Sequence, residues 1–515
     1  MGFLFWAVTV VSAGIAIILL EVVKAIWLKP LHFKKFFEAQ GIQGPSYKFI
    51  YGNAPDIVKM ARQESSNTKS LLGHNIVPRV LPAFHQWSKT YGQVYVYWFG
   101  NKPRLYVPDP PLVREILSNK FGNHKRVSNN PNGPPPLKHR GLVELEGEKW
   151  AQHKKIINPS FHMDVLKGMI PQIAECATNM IEEWRKLVSS GANEINVLKE
   201  FSCLTSDIIS HTAFGSSYAE GKYMFHLLSQ RLLLIFEKSR SFNIPGSRFL
   251  PTKKNMQQRW LTKEINKCAR QVIESRERAV RIGKSADYGA DLLGLMMNAN
   301  KEQGEKVHMT TDEIIAECIT FYTAGHETTS ILLTWTMILL GMHQDWQELA
   351  RKEVLEMCGK NDFPNADTVN GLKIMGMIFN ESLRLYPPGI ALLRQTDKPV
   401  KLGRISIPAG TELHIPILTM HHDPSLWGDN ADEFNPERFR EGISKAAKHP
   451  NAFMPFSLGP KICIGQNFAL LEAKVVLAMI LQRFSFLISP NYIHAPVHSL
   501  MLKPQYGAQV ILHMI

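Results

Sequence analysis

The sequence lacks the glycine patterns that bind nucleotides. None of its 34 glycines stands two positions from another, so the G-x-G-x-x-G fingerprint of dinucleotide-binding folds is absent. The phosphate-binding G-x-x-x-x-G-K-S/T loop and the G-x-S-x-G turn are absent as well. These absences exclude the nucleoside triphosphatases that use that loop, and they leave no evident flavin or nicotinamide site in the chain.

Cysteine is scarce, and acidic residues are fewer than basic ones. The six cysteines form no C-x-x-C motif and no close pair, which argues against a disulfide framework and a zinc knuckle. The net charge of +14 favours an acidic partner, such as nucleic acid, an anionic membrane surface or an acidic protein, but does not choose among them. Because the basic residues are scattered without a long run, we expect no nucleic-acid partner.

Residues 1 to 29 are predicted to form a membrane anchor. Residues 2 to 20 carry no charge, which is about the 20 residues that a bilayer core requires. Pro30 is expected to end the anchor helix, and residues 30 to 50 are expected to form a hinge. A cleaved signal peptide is the alternative. The positive-inside rule puts the body on the cytosolic side, because basic residues follow the span: Lys24, Lys29, Lys34 and Lys35.

Residues 51 to 515 are predicted to form one mainly α-helical body with small β-sheets. One hairpin is expected around Gly100, and a second is expected to pair residues 405 to 407 with 412 to 415. Residues 123 to 140 are rich in Asn, Pro and Gly, which predicts either a lid or a plain surface loop. Helical periodicity covers residues 164 to 188, 199 to 214, 222 to 239, 255 to 282, 311 to 341, 343 to 358, 371 to 386 and 464 to 484.

Cys463 lies in the run Phe456 to Gly465, where a helical pattern begins. Free N–H groups at a helix start and the nearby Lys461 favour a thiolate over a thiol. Gly459 and Gly465 allow the chain to turn and to approach a flat ligand closely. An inert core cysteine remains the alternative on this spacing alone.

The helix predicted over 311 to 341 is apolar nearly all round, so it should be central and buried. Thr310 and Glu313 form a candidate capping box at its start. A glycine and an acidic residue are both unfavourable inside such a helix, so the presence of Gly325 and Glu327 there requires an explanation. One reason is a small notch beside Thr328; the alternative is a tolerated glycine and a solvated carboxylate.

The F-x-x-G-x-x-x-C-x-G pattern around Cys463 resembles the haem-binding loop of the cytochrome P450 monooxygenases. Further motifs of that family follow in the expected order. Glu381 and Arg384 match its E-x-x-R helix, where the two side chains share a face, and Arg438 resembles the third member of that structural triad. Residues 324 to 329, Ala-Gly-His-Glu-Thr-Thr, resemble its oxygen-activation motif.

The resemblance implies a cytochrome P450 fold preceded by one transmembrane helix, with haem b as cofactor and the Cys463 thiolate as iron ligand. Thr328 and Glu327 would be the catalytic pair, positioned to bind dioxygen and relay protons. The family usually has arginine where Lys154 and Lys461 stand, which leaves the propionate geometry in doubt. The other implied residues are Trp150, Arg394, Phe456, Gly459 and Gly465 for the cofactor, and Phe321, Ala324, Ile390, Leu393 and Met501 for the substrate.

Residues 150 to 161, 214 to 218 and 321 to 336 are most similar to the plant seventy-two clan of that family. The resemblance implies hydroxylation of a lipophilic terpenoid, steroid or plant hormone, with dioxygen and electrons from an NADPH-cytochrome P450 reductase at the endoplasmic reticulum membrane. Two alternatives stay open. One is a haem-thiolate isomerase or dehydratase that does not use dioxygen, and the other is a non-catalytic, membrane-anchored haem- or lipid-binding protein.

Overall fold

The computed structural model describes residues 2–68, 73–118, 124–126, 140–215, 218–240, 250–284, 286–299, 308–360 and 362–515. Most of the predicted loop at 123 to 140 lies outside these residues. The helices are α1 Gly2–Val23, α2 Lys29–Glu38, α3 Ala54–Ser66, α4 Val77–Val80, α5 Pro82–Tyr91, α6 Pro110–Ser118, α7 Gly147–Ile157, α8 Met163–Gly168, α9 Ile170–Ser189, α10 Val197–Phe214, α11 Tyr218–Arg240, α12 Lys253–Arg281, α13 Leu292–Asn298, α14 Thr311–Met342, α15 Gln344–Cys358, α16 Ala366–Gly371, α17 Lys373–Leu385, α18 Ile417–His421, α19 Pro424–Trp427 and α20 Gln466–Leu481. The strands are β1 Tyr95–Phe99, β2 Lys102–Tyr106, β3 His124–Arg126, β4 Glu194–Asn196, β5 Leu392–Thr396, β6 Val400–Leu402, β7 Ile405–Ile407, β8 Glu412–Ile415, β9 Phe484–Ile488, β10 Pro496–Ser499, β11 Met501–Pro504 and β12 Gln509–Met514. The prediction of a mainly helical protein with small sheets is confirmed.

The first of two structural units contains residues 1–67, 77–127 and 391–416. Its sheet has the strand order β1-β2-β8-β5-β3, and the predicted hairpin around Gly100 is confirmed as the antiparallel pair β1 and β2. Aromatic rings fill the interior of this unit, where Tyr95 and Tyr106 stack with centroids 4.7 Å apart. The buried Tyr97 hydroxyl and His414 Nδ1 lie 2.8 Å apart, which satisfies both polar groups.

The second predicted hairpin is wrong. β7 pairs with β6 instead of β8, across a turn at Gly403 and Arg404. Gly403 has a φ of +55°, so a tight two-residue turn is available there. All four residues of β8 are buried, and this strand pairs with β2 on one side and β5 on the other. The buried strand β8 therefore pairs with two strands of the larger sheet, while the turn at Gly403 and Arg404 lets β6 pair with β7.

The N-terminal helix also departs from expectation, because it does not end at Pro30. A π-helical turn at Lys24–Leu28 follows α1, and α2 continues directly to Glu38. A proline inside a helix deprives the carbonyl four residues earlier of its donor. Here that carbonyl belongs to Ile26, and it accepts a hydrogen bond of 2.7 Å from the Tyr47 hydroxyl. Among the described residues, Phe5–Glu38 is the helical stretch long and apolar enough to span a bilayer.

The second unit contains residues 68–76, 128–390 and 417–515. Its central element is α14, whose predicted capping box between Thr310 and Glu313 is confirmed. This helix contacts α10, α17 and α20, and burial on most faces explains its nearly uniform apolar sequence. β4, β12 and β9 form one small sheet. β10 and β11 form a hairpin whose single turn residue, Leu500, has a φ of +70°.

Candidate functional site

The Cys463 loop is a tight, hydrogen-bonded turn. The Cys463 N–H donates to the Phe456 carbonyl at 2.9 Å, which closes the loop. Two residues inside it have left-handed backbone conformations, Ser457 with a φ of +67° and Gly459 with a φ of +73°. Only glycine adopts this conformation without cost, so the loop holds some strain at Ser457. The closed turn presents the Cys463 side chain outward, where it is exposed.

The helix that follows begins later than the sequence predicts. α20 starts at Gln466 with Gly465 as its N-cap, so Cys463 precedes the helix by three residues. A short 3₁₀ turn at Gly459–Lys461 takes up the intervening chain. Most of α20 is buried, and it contacts α9, α14 and α15. The helix therefore anchors the loop in the core of its unit.

Three of the residues predicted to bind the haem propionates meet at one place. The ammonium of Lys154 lies 4.9 Å from the centroid of the Trp150 ring, and that of Lys461 lies 5.5 Å from the same ring. Both distances suit a cation–π contact. Two cations over one indole form a natural binding site for carboxylates. Their role in propionate binding stays a prediction.

Both lysines also have protein partners that sequence reasoning missed. Lys154 donates to the carbonyl of Pro460 at 2.8 Å. Lys461 forms an ion pair with Glu146 and a hydrogen bond of 3.3 Å to the carbonyl of Leu145. These contacts attach the start of α7 to the Cys463 loop. Glu146 gave no local signal, because its partner lies more than three hundred residues away in sequence.

A second missed feature is a buried pair between α7 and α14. The Nδ1 of His153 lies 2.6 Å from Oε1 of Glu317, and both side chains are almost fully buried. The other oxygen of Glu317 accepts the Leu142 N–H at 3.0 Å. Next to it, Gly141 lies so close to Thr320 that no side chain would fit there. An acidic residue in an otherwise apolar stretch of α14 was the available sequence signal.

The predicted catalytic motif lies in the middle of α14. Ala324 is exposed although most of the helix is buried, so open space adjoins the helix at this turn. The Thr328 hydroxyl donates to the Ala324 carbonyl at 2.7 Å. Oε2 of Glu327 is buried without a hydrogen-bond partner, and burial raises the pKa of this carboxyl above its usual value, opposed by the charge of Lys503.

Gly325 has a packing role that the sequence did not indicate. A Cβ atom at this position would lie 2.9 Å from the Ile209 side chain of α10, too close for an undisturbed contact. The glycine therefore permits α10 to pack tightly against α14. The notch predicted beside Thr328 stays a prediction.

The predicted triad of Glu381, Arg384 and Arg438 is confirmed as a structural network. The fully buried Arg384 donates to both oxygens of Glu381 at 2.7 and 2.8 Å. It also donates to the carbonyls of His421 and Ala431. Arg438 Nε lies 3.4 Å from Glu381 Oε1. The planar guanidinium satisfies several backbone groups at once, which a lysine would not.

The remaining predicted residues divide between the two units. Arg394 and Leu393 lie on β5 of the first unit, where Arg394 is buried and donates to the Leu393 carbonyl at 2.9 Å. In the second unit, the Phe321 ring stacks on Phe161 with centroids 5.5 Å apart. Ile390 is buried there, and Met501 begins β11.

The residues of the second unit fit a flat cofactor that carries carboxylates. The Cys463 thiol lines a cavity of about 340 Å³, together with Lys154, Phe161 and Ile462. Ile462 is exposed at this cavity and offers an apolar contact for a flat ligand. The donor set consists of a soft sulfur ligand and two ammonium groups. It suits an iron porphyrin with propionates.

A helical fold, an exposed cysteine in a closed loop and an E-x-x-R network are together typical of haem-thiolate proteins. The family model described as Cytochrome P450 matches residues 74–512, and the chain belongs to this family. It is therefore a haem-thiolate monooxygenase, and its cofactor is haem b held by a cysteine thiolate.

Similar proteins are found in plants. Cytochrome P450 CYP72A616 of Paris polyphylla is 44% identical over 98% of both chains. Cytochrome P450 734A1 of Arabidopsis thaliana is 44% identical over 98% of this chain and 96% of its own length. The 11-oxo-beta-amyrin 30-oxidase of Glycyrrhiza uralensis is 42% identical over 100% of this chain and 99% of its own. The predicted resemblance to the plant seventy-two clan is confirmed.

Proposed function

We propose that this monooxygenase hydroxylates a lipophilic terpenoid, steroid or plant hormone, with Cys463 as the iron ligand. The observation that carries the proposal is the exposed Cys463 thiol at the apex of a closed loop that α20 anchors in the core. A cysteine thiolate on haem iron favours cleavage of the O–O bond, so the bound cofactor supplies oxygen activation. The chain itself supplies positioning, exclusion of water and protons.

We assign the delivery of protons to Glu327 and Thr328. Because burial raises the pKa of Glu327, its carboxyl holds a proton closer to neutral pH than a solvated glutamate does. A raised pKa moves a carboxyl toward the range in which general acid–base catalysis is efficient at neutral pH. The Thr328 hydroxyl, which donates a hydrogen bond to the Ala324 carbonyl, is the next proton donor in the same helix.

The substrate class is supported by the character of the residues predicted to line the substrate site and by the relatives. Phe321, Ala324, Ile390, Leu393 and Met501 are all apolar, and an apolar lining selects a lipophilic molecule. One relative is named for the oxidation of 11-oxo-beta-amyrin, a terpenoid. This name favours a terpenoid over the other lipophilic candidates.

Electrons are assigned to an NADPH-cytochrome P450 reductase, because the chain has no flavin or nicotinamide motif. Basic residues on two segments, 149–155 and 440–448, would suit an acidic reductase face: Lys149, Lys154, Lys155, Arg440, Lys445 and Lys448. Within the protein, Lys149 pairs with Glu313, Arg440 with Glu437 and Lys445 with Glu441.

We assign the protein to the endoplasmic reticulum membrane, with a single span and the body on the cytosolic face. The span at Phe5–Glu38 supports the anchor, and the lysines that follow its apolar part support the orientation.

The ligand assignment is tested with Cys463→Ala in the full-length protein. The red-shifted Soret band of the reduced carbonyl complex is expected to vanish in this variant. Cys203→Ala, which alters another exposed cysteine, is the matched control and should retain the band. The same band in Cys463→Ala would refute the assignment. A substrate-binding spectral screen of terpenoids, steroids and hormones then tests the substrate class.

A further inference from the structure

The π-helical turn at Lys24–Leu28 and Pro30 together remove helical donors from two backbone carbonyls. The Lys29 N–H donates to the Lys24 carbonyl instead of to the Ala25 carbonyl. Pro30 has no N–H. The Ala25 carbonyl therefore loses both the donor four residues later and the donor five residues later. The Ile26 carbonyl loses the donor four residues later, which is Pro30. Such turns inside helices are frequently functional.

Two side chains of the body occupy these carbonyls. Asn101, in the turn between β1 and β2, donates from Nδ2 to the Ala25 carbonyl at 3.1 Å. The Tyr47 hydroxyl donates to the Ile26 carbonyl at 2.7 Å, and its ring packs edge-on against Trp98 with centroids 5.2 Å apart. We refer to these two contacts as the Tyr47–Asn101 junction. They join the helix to two separate segments of the first unit, where a flexible hinge was expected.

A strained residue supports the junction. Ile50 has a φ of +64°, a conformation that β-branched residues rarely adopt. Its N–H donates to the Tyr47 hydroxyl at 3.2 Å, so the same hydroxyl holds both the helix and the strained turn. Strain of this kind persists where the surroundings enforce it and often marks function.

Three exposed aromatic residues lie next to the junction in sequence. Trp27 is 53% exposed, Phe49 is 52% exposed and Tyr51 is 44% exposed, and the rings of Trp27 and Phe49 meet edge-on at 5.6 Å. We call these residues the interfacial collar. Exposed aromatic residues that cluster mark interaction surfaces, and tryptophan and tyrosine favour the headgroup level of membranes.

The depth of the collar agrees with the length of the span. The uncharged stretch ends at Glu21, which pairs with Lys24 at 2.8 Å. About 20 helical residues at ~1.5 Å each cover the ~30 Å hydrocarbon core. Trp27 lies six residues beyond Glu21, about 9 Å farther along the axis, which is at the headgroup zone. The lysines around it add attraction to anionic lipids.

We propose that the Tyr47–Asn101 junction fixes the first unit rigidly to the membrane span and thereby holds the interfacial collar in the lipid headgroup zone. The proposal rests on the membrane anchoring assigned above. It adds that the anchor sets the depth of the first unit instead of tethering it loosely. The partner is a lipid surface, because the collar continues the span on the same helix.

The first test measures lipid contact. Full-length protein is reconstituted in vesicles of phosphatidylcholine and phosphatidylserine that carry bromine near the headgroups. Bromine should quench tryptophan fluorescence, and Trp27→Phe should remove a headgroup-dependent part of the quenching. Equal quenching in Trp27→Phe and the parent would overturn the collar. Protein that does not float with the vesicles at all would instead refute the anchoring.

The second test measures the junction by hydrogen exchange in the same vesicles. In Tyr47→Phe with Asn101→Ala, amides of residues 44–52 should exchange about five-fold faster, the change expected for a lost hydrogen bond. The headgroup-dependent quenching of Trp27 should fall as well. Tyr91→Phe, which removes a tyrosine hydroxyl elsewhere in the first unit, is the control. Exchange and quenching equal to that control would overturn the junction.

Discussion

His153 on α7 and Glu317 on α14 form a buried pair in which Nδ1 and Oε1 lie 2.6 Å apart. The same helix α7 carries Trp150 and Lys154, whereas α14 carries Glu327 and Thr328. The pair therefore sets the spacing between the segment predicted to hold the propionates and the segment predicted to deliver protons. Oε1 of Glu313 lies 3.9 Å from the other imidazole nitrogen, so two carboxylates face this histidine.

Glu317→Ala is expected to destabilise the protein by about 3–5 kcal/mol, because it leaves the imidazole and the Leu142 N–H buried without an acceptor. Chemical denaturation of the haem-loaded protein measures the loss. The control is Glu183→Ala, which removes an exposed ion pair with Lys186 and should leave the denaturation midpoint unchanged. Equal midpoints for both variants would contradict a structural role of the buried pair.

Thr328→Ala is expected to retain haem but to divert electrons to hydrogen peroxide, because the hydroxyl that follows Glu327 directly in the motif is lost. The measurement is product and peroxide formed per NADPH consumed. Thr334→Ala is the matched control, since this buried threonine also donates to the carbonyl four residues earlier, at 2.6 Å. A product yield for Thr328→Ala equal to that of the control would argue against the proton relay.

Acid should unfold the protein through buried histidines. Burial and neighbouring histidines lower the pKa of His74 to about 3, and burial beside Arg384 lowers the pKa of His421 to about 3. Above an unfolded pKa near 6.5 both states are neutral, so these groups have no effect on stability. Between about pH 6.5 and 3 only the unfolded chain binds the protons, and stability falls by roughly 1 kcal/mol per pH unit for each histidine.

Urea midpoints at pH 7, 6 and 5 measure this dependence. His74 contacts the Tyr386 hydroxyl at 2.7 Å and faces His343 at 3.5 Å, with His494 and Arg384 nearby. His74→Gln should reduce the slope by about one proton. The exposed His513→Gln should leave the slope unchanged, and a parallel slope in both variants would exclude His74 as a source.

Haem retention should depend on Lys461 more than on its partner. Lys461→Met removes an ammonium available to a propionate, so haem should transfer to apomyoglobin roughly ten-fold faster, as for one lost charge-assisted hydrogen bond. Glu146→Gln keeps the ammonium and should change the rate far less. Lys445→Met, an exposed lysine paired with Glu441, controls for loss of positive charge. Transfer as slow in Lys461→Met as in this control would show that Lys461 does not bind the cofactor.

Local sequence patterns predict much of this fold. The apolar periodicity over 311 to 341 corresponds to α14 within a residue at each end, and the Thr310 cap is present. The E-x-x-R spacing predicts the Glu381–Arg384 pair because both residues lie on one helix face. In these cases the interacting residues are close in sequence, so the pattern contains the whole interaction.

Local sequence patterns do not predict contacts between residues that lie far apart in the chain. The pairing of β8 with β2 and β5 depends on strands far away in the chain, and the continuation of the helix past Pro30 depends on Tyr47. Glu146 is unremarkable until Lys461 lies beside it. Gly325 shows the same limit, because its reason is the Ile209 side chain on another helix.

The embedding of α20 among α9, α14 and α15 has an evolutionary consequence. Moving the sulfur of Cys463 would require three neighbouring helices to shift together, so its location is costly to alter. Ala324 and Met501 border open or partly accessible space and are cheap to exchange. Descendants of one ancestral enzyme would then change their substrates through substitutions at positions such as Ala324 and Met501. The activation of oxygen would be inherited unchanged.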